Sequence, residues 1–162
     1  VLTTSPANDS KLYQTHPQWT FDGKWVIFRS DRSATADTSR DMRNQAFAVN
    51  TITGVIVQLT DQPNATGSLN ISRKKNLLYT MRGGAWFSAR LPDGKEAPAM
   101  ENPPPRQLIE INLDALFADS EAGTMKEPAS YERVVAALPT DLRDSGGFSL
   151  DADETKAYWG VA

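Results

Sequence analysis

Cysteine is absent from the 162 residues and histidine occurs once, at His16. The first absence excludes disulfides, thiolate metal centres, iron–sulfur ligation and cysteine nucleophiles within these residues. The second excludes any site needing two or three imidazoles from this chain alone, such as a His-rich zinc centre. No apolar run approaches the ~18 residues that a membrane-spanning helix requires, and residues 1–9 hold neither the basic cluster nor the apolar centre of a signal peptide. Positive charge is also scarce: 17 Lys and Arg stand against 20 Asp and Glu, for a net charge of -3. No bulk field therefore draws nucleic acid or an anionic membrane. A phosphate-binding Gly-Lys-Ser/Thr loop and a Gly-x-Ser-x-Gly nucleophile elbow are missing as well. With 40% hydrophobic residues, the chain still has material for one core of ordinary size.

What is present is strand-and-turn patterning. Two β-prone segments flank Asp22-Gly23, a pair that tolerates the positive φ of a tight turn, so residues 19–28 are predicted to be a hairpin. Gln45 to Asn50 and Val55 to Leu59, separated by Thr51-Ile52-Thr53-Gly54, predict a second strand pair. The polar stretch Ser33 to Arg43 becomes the loop between the two hairpins. The motif Trp19-Thr20-Phe21-Asp22-Gly23-Lys24 before an apolar run is echoed from Ile71 (Ile-Ser-Arg-Lys-Lys-Asn) and again from Leu150 (Leu-Asp-Ala-Asp-Glu-Thr). The first spacing is close to the roughly 40–50 residues of a four-stranded propeller blade. The second is longer, and two stretches account for the excess: a Pro-rich insertion near 88–105 and a polar one near 118–130, both suited to surface loops. Residues 106–113, where Ile109, Ile111 and Leu113 alternate with Glu110 and Asn112, and 131–138 complete the second unit as strands. Asp114 to Phe117 forms either the end of that strand or a helical turn capped by Asp114.

The pattern predicts an all-β chain: an N-terminal segment at 1–15, a four-stranded blade at 16–61, a second at 62–142, and the first strands of a third at 143–162. Two strands alone leave an open edge and an uncovered apolar face, so further blades are expected.

The run His16-Pro17-x-Trp19-Thr20-x-Asp22-Gly23-Lys24, followed by Val26-Ile27-Phe28-x-Ser30-Asp31-Arg32 and closed by Gln58-Leu59-Thr60-Asp61, resembles the TolB-like β-propeller repeat. The opening Leu2-Thr3-Thr4-Ser5-Pro6 to Tyr13, then His16-Pro17, is most similar to bacterial oligogalacturonate-lyase-like proteins. The resemblance implies a seven-bladed propeller, exported to the periplasm or outside the cell. Its enzyme members eliminate across acidic oligosaccharides with a divalent metal such as Mn, held mainly by histidines of later blades. None of those ligand positions is matched here, so the catalytic residues are unassigned, and no metal or other cofactor site is expected within this segment. The alternative is a non-catalytic propeller that docks a protein partner in an envelope or extracellular assembly.

Six residues are candidates for ligand contact. His16 stands at the entrance to an innermost strand. Arg32, with Arg29 and Asp31, follows a strand where an Arg fork grips a carboxylate or ties an Asp between blades. Arg40 and Arg43 lie in the extended polar loop. Arg82, before Gly83-Gly84, and Trp86 join a cation to an aromatic face that stacks on sugar rings. Each has a plainer packing role beside it. Asp22 and Asp93-Gly94 are read as turn chemistry, and Arg73-Lys74-Lys75 as a solvated hairpin tip. Three Asn-x-Ser/Thr acceptors, at Asn8, Asn64 and Asn70, carry weight only in a eukaryotic secretory setting.

Overall fold

The computed structural model describes residues 3–14, 16–63, 65–66, 68–84, 104–139 and 144–161, apart from the side chains of Arg40, Asp41, Asp144, Ser145 and Val161. They form three antiparallel sheets in chain order. The first contains β1 (Ser10–Lys11), β2 (Trp25–Ser30), β3 (Gln45–Asn50) and β4 (Ile56–Gln58), with a one-turn helix α1 (Arg40–Arg43) between β2 and β3. The second contains β5 (Leu69–Ile71), β6 (Leu77–Arg82), β7 (Gln107–Asn112) and β8 (Glu132–Ala137), with α2 (Leu113–Ala122) and a 3-10 turn (Pro128–Tyr131) between β7 and β8. The third is the pair β9 (Asp144–Leu150) and β10 (Ala157–Val161). The chain is therefore mostly β, and its described sheets do not close into a barrel or ring.

Strict alternation decides which way each strand faces. In the first sheet Trp25, Ile27, Ala46, Ala48 and Val57 pack against Leu69, Ile71, Leu78, Ile109 and Ile111 of the second, forming the main core. Small alanines on one side accept large isoleucines on the other. The residues between them turn to opposite faces. Phe28, Phe47 and Val49 form a cluster on the first sheet's other side. Tyr79, Met81 and Leu108 of the second sheet meet Phe148, Leu150, Ala157 and Trp159 of the third. The order of stacking is thus first, second, third.

The three motif copies occupy equivalent places. Trp19 pairs with Val26, Ile71 with Leu78, and Leu150 with Ala157. In each, the next residue closes the same turn: the amides of Thr20, Ser72 and Asp151 donate to the carbonyls of Trp25, Leu77 and Lys156, all at 3.0 Å. Three different side chains build this one turn. In the first copy the Asp22 carboxylate accepts from the Thr20 hydroxyl at 2.6 Å and from the Lys24 amide at 3.1 Å, while Gly23 supplies φ 71°. In the second the Ser72 hydroxyl oxygen accepts from the amides of Lys74 and Lys75. In the third Asp151 Oδ1 accepts from Thr155 and Lys156, and Glu154 takes φ 56°.

Three details depart from the sequence-based expectation. The strand paired to the start of β2 is not a continuous run at 19–21: Ser10–Lys11 pair with Arg29 and Phe28, the chain leaves the sheet, and contact resumes at Trp19. The side chain of Gln18 explains the detour, since its Oε1 takes the Leu12 amide at 3.0 Å and its Nε2 donates to the carbonyls of Tyr13 and His16. The helical turn at 114–117 is a ten-residue helix capped by Asn112, whose side-chain Oδ1 accepts from the Ala115 amide, with Asp114 inside the first turn. It absorbs the start of the polar insertion and stacks Phe117 on Trp25, ring centroids 4.0 Å apart. The basic tip at 73–75 also leans on the third sheet: Lys74 pairs with Asp153 at 3.0 Å, and Glu154 accepts from the Arg73 amide and the Ser72 hydroxyl.

Candidate functional site

One end of the stacked sheets carries the three turns; the other gathers the charged candidates. Ser30 pairs with Gln45 and Arg82 with Gln107, so the β2–β3 and β6–β7 connections leave from the same end, opposite the turns. Arg32, Arg43 and Arg82 belong to this end, and His16 to the segment between β1 and Trp19 that leaves the first sheet.

Arg32 is committed to packing. Its Nη2 donates to both oxygens of Asp9 at 2.8 Å, its Nε donates to the Ser30 hydroxyl at 3.2 Å, and its guanidinium lies 4.9 Å from the Phe28 ring centroid and 5.3 Å from that of Phe47. Burial acts to raise the Asp9 carboxyl, but hydrogen bonds from Ser30, Thr3 and Arg32, with the Arg32 charge, outweigh it and hold Asp9 below the ordinary range. The pair ties the N-terminal arm to its own sheet rather than bridging two sheets. Beside it lies a concavity of about 170 Å³ lined by Thr3, Asp9, Lys11, Val26, Phe28 and Val49.

Arg82 is likewise engaged. Its guanidinium pairs with Glu132 and donates from Nε to Gln107 Oε1 at 3.1 Å. The Glu132 side chain is only 5% exposed. Its burial pushes the carboxyl above the usual value, Arg82 opposes that shift, and the charge of Asp61, just after β4, adds to it. The following Gly83, at φ 73°, is required by space as well as by conformation, because a Cβ there would sit 2.4 Å from the Pro105 carbonyl oxygen.

The rings of His16 and Tyr13 meet in a T-shaped contact, centroids 6.1 Å apart, and the buried Nδ1 of His16 has no hydrogen-bond partner among the described residues. Tyr13, Trp19 and Phe21, on the same stretch, are each more than half exposed. Arg43 is exposed on α1 and adds to the forces that lower the Asp31 carboxyl, after the hydrogen bonds from Asn8. The backbone of Arg40 opens α1. Trp86 and the Asp93-Gly94 turn lie outside the described residues. No hydrogen bond or ion pair among the described residues joins two of the six candidates, so the structure does not assemble them into one constellation. Sequence reasoning missed Asp9 and Glu132, the carboxylates paired with Arg32 and Arg82, and read Asp61 only as the close of the first repeat; nothing in the local sequence of Asp9 or Glu132 marks them, because each acts across tertiary distance.

Among the described residues no group of three or more His, Asp or Glu side chains is placed to hold a metal ion, and no helix is long and apolar enough to cross a membrane. The positioned chemistry is that of carboxylate–guanidinium clamps and exposed aromatic faces. Comparison with protein-family models, with curated proteins and with solved structures finds no match to this chain.

Proposed function

We propose that the chain supplies successive blades of a TolB-like β-propeller and serves as a docking scaffold in an envelope or extracellular assembly. The observation that carries this reading is the repeat itself. Three motif copies build one turn by different side chains; the second sheet turns its Ile71 side to the first and its Tyr79 side to the third, and the third meets the second through Leu150, the counterpart of Ile71. A relation repeated in one direction is what a ring of blades requires. The engagement of Arg32 and Arg82 by Asp9 and Glu132 favours docking over catalysis in this part of the molecule, since neither guanidinium fork is free to grip a substrate carboxylate.

A second reading, binding of an acidic oligosaccharide as the lyase resemblance implies, is favoured by the exposed Tyr13, Trp19 and Phe21 beside His16. Titration of the protein with oligogalacturonate in the presence of Mn²⁺, followed by calorimetry and by absorbance of unsaturated uronides, separates the two. Docking predicts neither heat nor absorbance, together with a native partner that is lost when Trp19 and Phe21 are changed to Ser. Saturable heat abolished by Trp19→Ala would establish the saccharide reading in its place.

A further inference from the structure

The ion pairs among the described residues engage Arg32, Arg82, Arg133, Lys74 and Lys126. Arg29 is different. Two positions after Ile27 on β2, it shares the face that looks toward the second sheet, and it is half-buried there. Its Nε donates to the Thr66 carbonyl at 2.9 Å, on the approach to β5, while Nη1 and Nη2 have no partner among the described residues and neither is closed off from water. Asp31, the nearest carboxylate along the chain, is held instead by the backbone and side-chain amides of Asn8. Burial pulls the Arg29 pKa below the ordinary arginine value, with no carboxylate charge to offset the lost water. The residues directly opposite it are small, Ser10 on one side and Ala46 on the other, so neither is long enough to cover the fork. Ser10 is exposed, and its hydroxyl bonds to no described residue.

A cation that has given up water without gaining a counter-charge is costly to keep. The bond to Thr66 occupies one side of the guanidinium; the end that remains, Nη1 and Nη2, is the part that takes both oxygens of a carboxylate in one plane. We infer that Arg29, assisted by the Ser10 hydroxyl, is a carboxylate-binding site in the seam between the first and second sheets, and that its ligand is an acidic side chain of a peptide. The surroundings of the fork select that source. The exposed indole of Trp19 pairs with Val26 on the opposite face of the sheet, so it does not stack on a sugar ring held by Arg29. One fork and one hydroxyl satisfy a carboxylate, but they leave the hydroxyls of a sugar without fixed partners. The site goes beyond the docking reading and rests on it only for the origin of the peptide.

The probes are N-acetylaspartyl amide, its uncharged isostere N-acetylasparaginyl amide, and galacturonate as the sugar acid. Each is titrated into the whole chain at constant ionic strength while the Nε–H resonances of Arg29, Arg32, Arg43 and Arg82 are followed by NMR. A saturable shift at Arg29 is expected with the aspartyl compound, at a Kd of about 10 mM or below, and none with the isostere. Arg29→Lys, which keeps the charge and loses the fork, is expected to weaken binding about tenfold or more, and Ser10→Ala about threefold. Should Arg29→Lys fail to fold, the isostere and the exposed Ser10→Ala carry the test. No saturable shift up to about 100 mM, an equal response to the isostere, or an equal shift at the exposed Arg43 would each overturn the site. Galacturonate bound about tenfold more tightly than the aspartyl compound would overturn the peptide as its ligand. The docking reading is judged by partner loss on changing Trp19 and Phe21, so failure here leaves it standing.

Discussion

The first two sheets each hold an arginine–carboxylate pair, and the two carboxyls move in opposite directions. Asp9 receives hydroxyl hydrogen bonds as well as Arg32 and is lowered, whereas Glu132 is buried deeper, shares its surroundings with Asp61, and is raised despite Arg82. A counter-ion alone does not set a carboxyl's affinity for its proton; the number of donors set against the loss of water does. The same contrast extends to packing. Leu78 and Val26 occupy equivalent places, yet Leu78 is fully buried between two sheets while Val26 is only partly covered.

That packing contrast gives the largest expected effect. Leu78→Ala should lower unfolding free energy by about 3 kcal/mol in denaturant titration, against about 1 kcal/mol for Val26→Ala; equal losses would mean that the first sheet's outer face is as closely packed as the second sheet's interior. Next comes the ion pair. Arg82→Met, which strands Glu132, is expected to cost about 2 kcal/mol, and adding Glu132→Leu should recover most of it. In the first sheet the corresponding Arg32→Met and Asp9→Leu double change should recover less, because Asp9 also accepts from Ser30 and Thr3.

A smaller loss, about 1–2 kcal/mol, is expected for Ser72→Ala, which leaves the Lys74 and Lys75 amides without their acceptor and leaves Glu154 only the Arg73 amide as donor. The exchange rates of amides in the turns should rise in both the second and third sheets; a change confined to the second would break the stacking of the turns. The smallest is the pH response. A lowered carboxyl such as Asp9, Asp22 or Asp151 adds stability above its unfolded value of 3.8, and that stability is lost as pH falls through the folded value. Glu132 runs the other way: its contribution is complete below the unfolded value of 4.5 and is lost as pH rises through its raised folded value. Acid unfolding of Asp9→Asn should therefore be shallower than that of the parent chain, and Glu132→Gln should flatten stability on the other side of the window.

Much of the scaffold was legible in the residues. Asp22-Gly23, the alternation in β7 and the echo of Trp19 at Ile71 and Leu150 are local signals, and local signals fix turns and strand faces. The detour at 12–18 was not legible, because it depends on one Gln side chain substituting for a strand's backbone bonds. The length of α2 escaped for a similar reason: the helix is held by Phe117 against Trp25, a contact nearly a hundred residues apart. Arg32 and Arg82 were identified as cations of interest, but their partners Asp9 and Glu132, 23 and 50 residues away along the chain, carry no local mark of the pairing.

Every strand of the three sheets pairs with the strand next to it in the chain, without a crossover. Such a meander is completed in the order in which it is synthesised, so the first sheet has all its partners before the second has left the ribosome. A growing chain would then expose one unfinished edge at a time, which limits the interval in which neighbouring nascent chains can exchange strands.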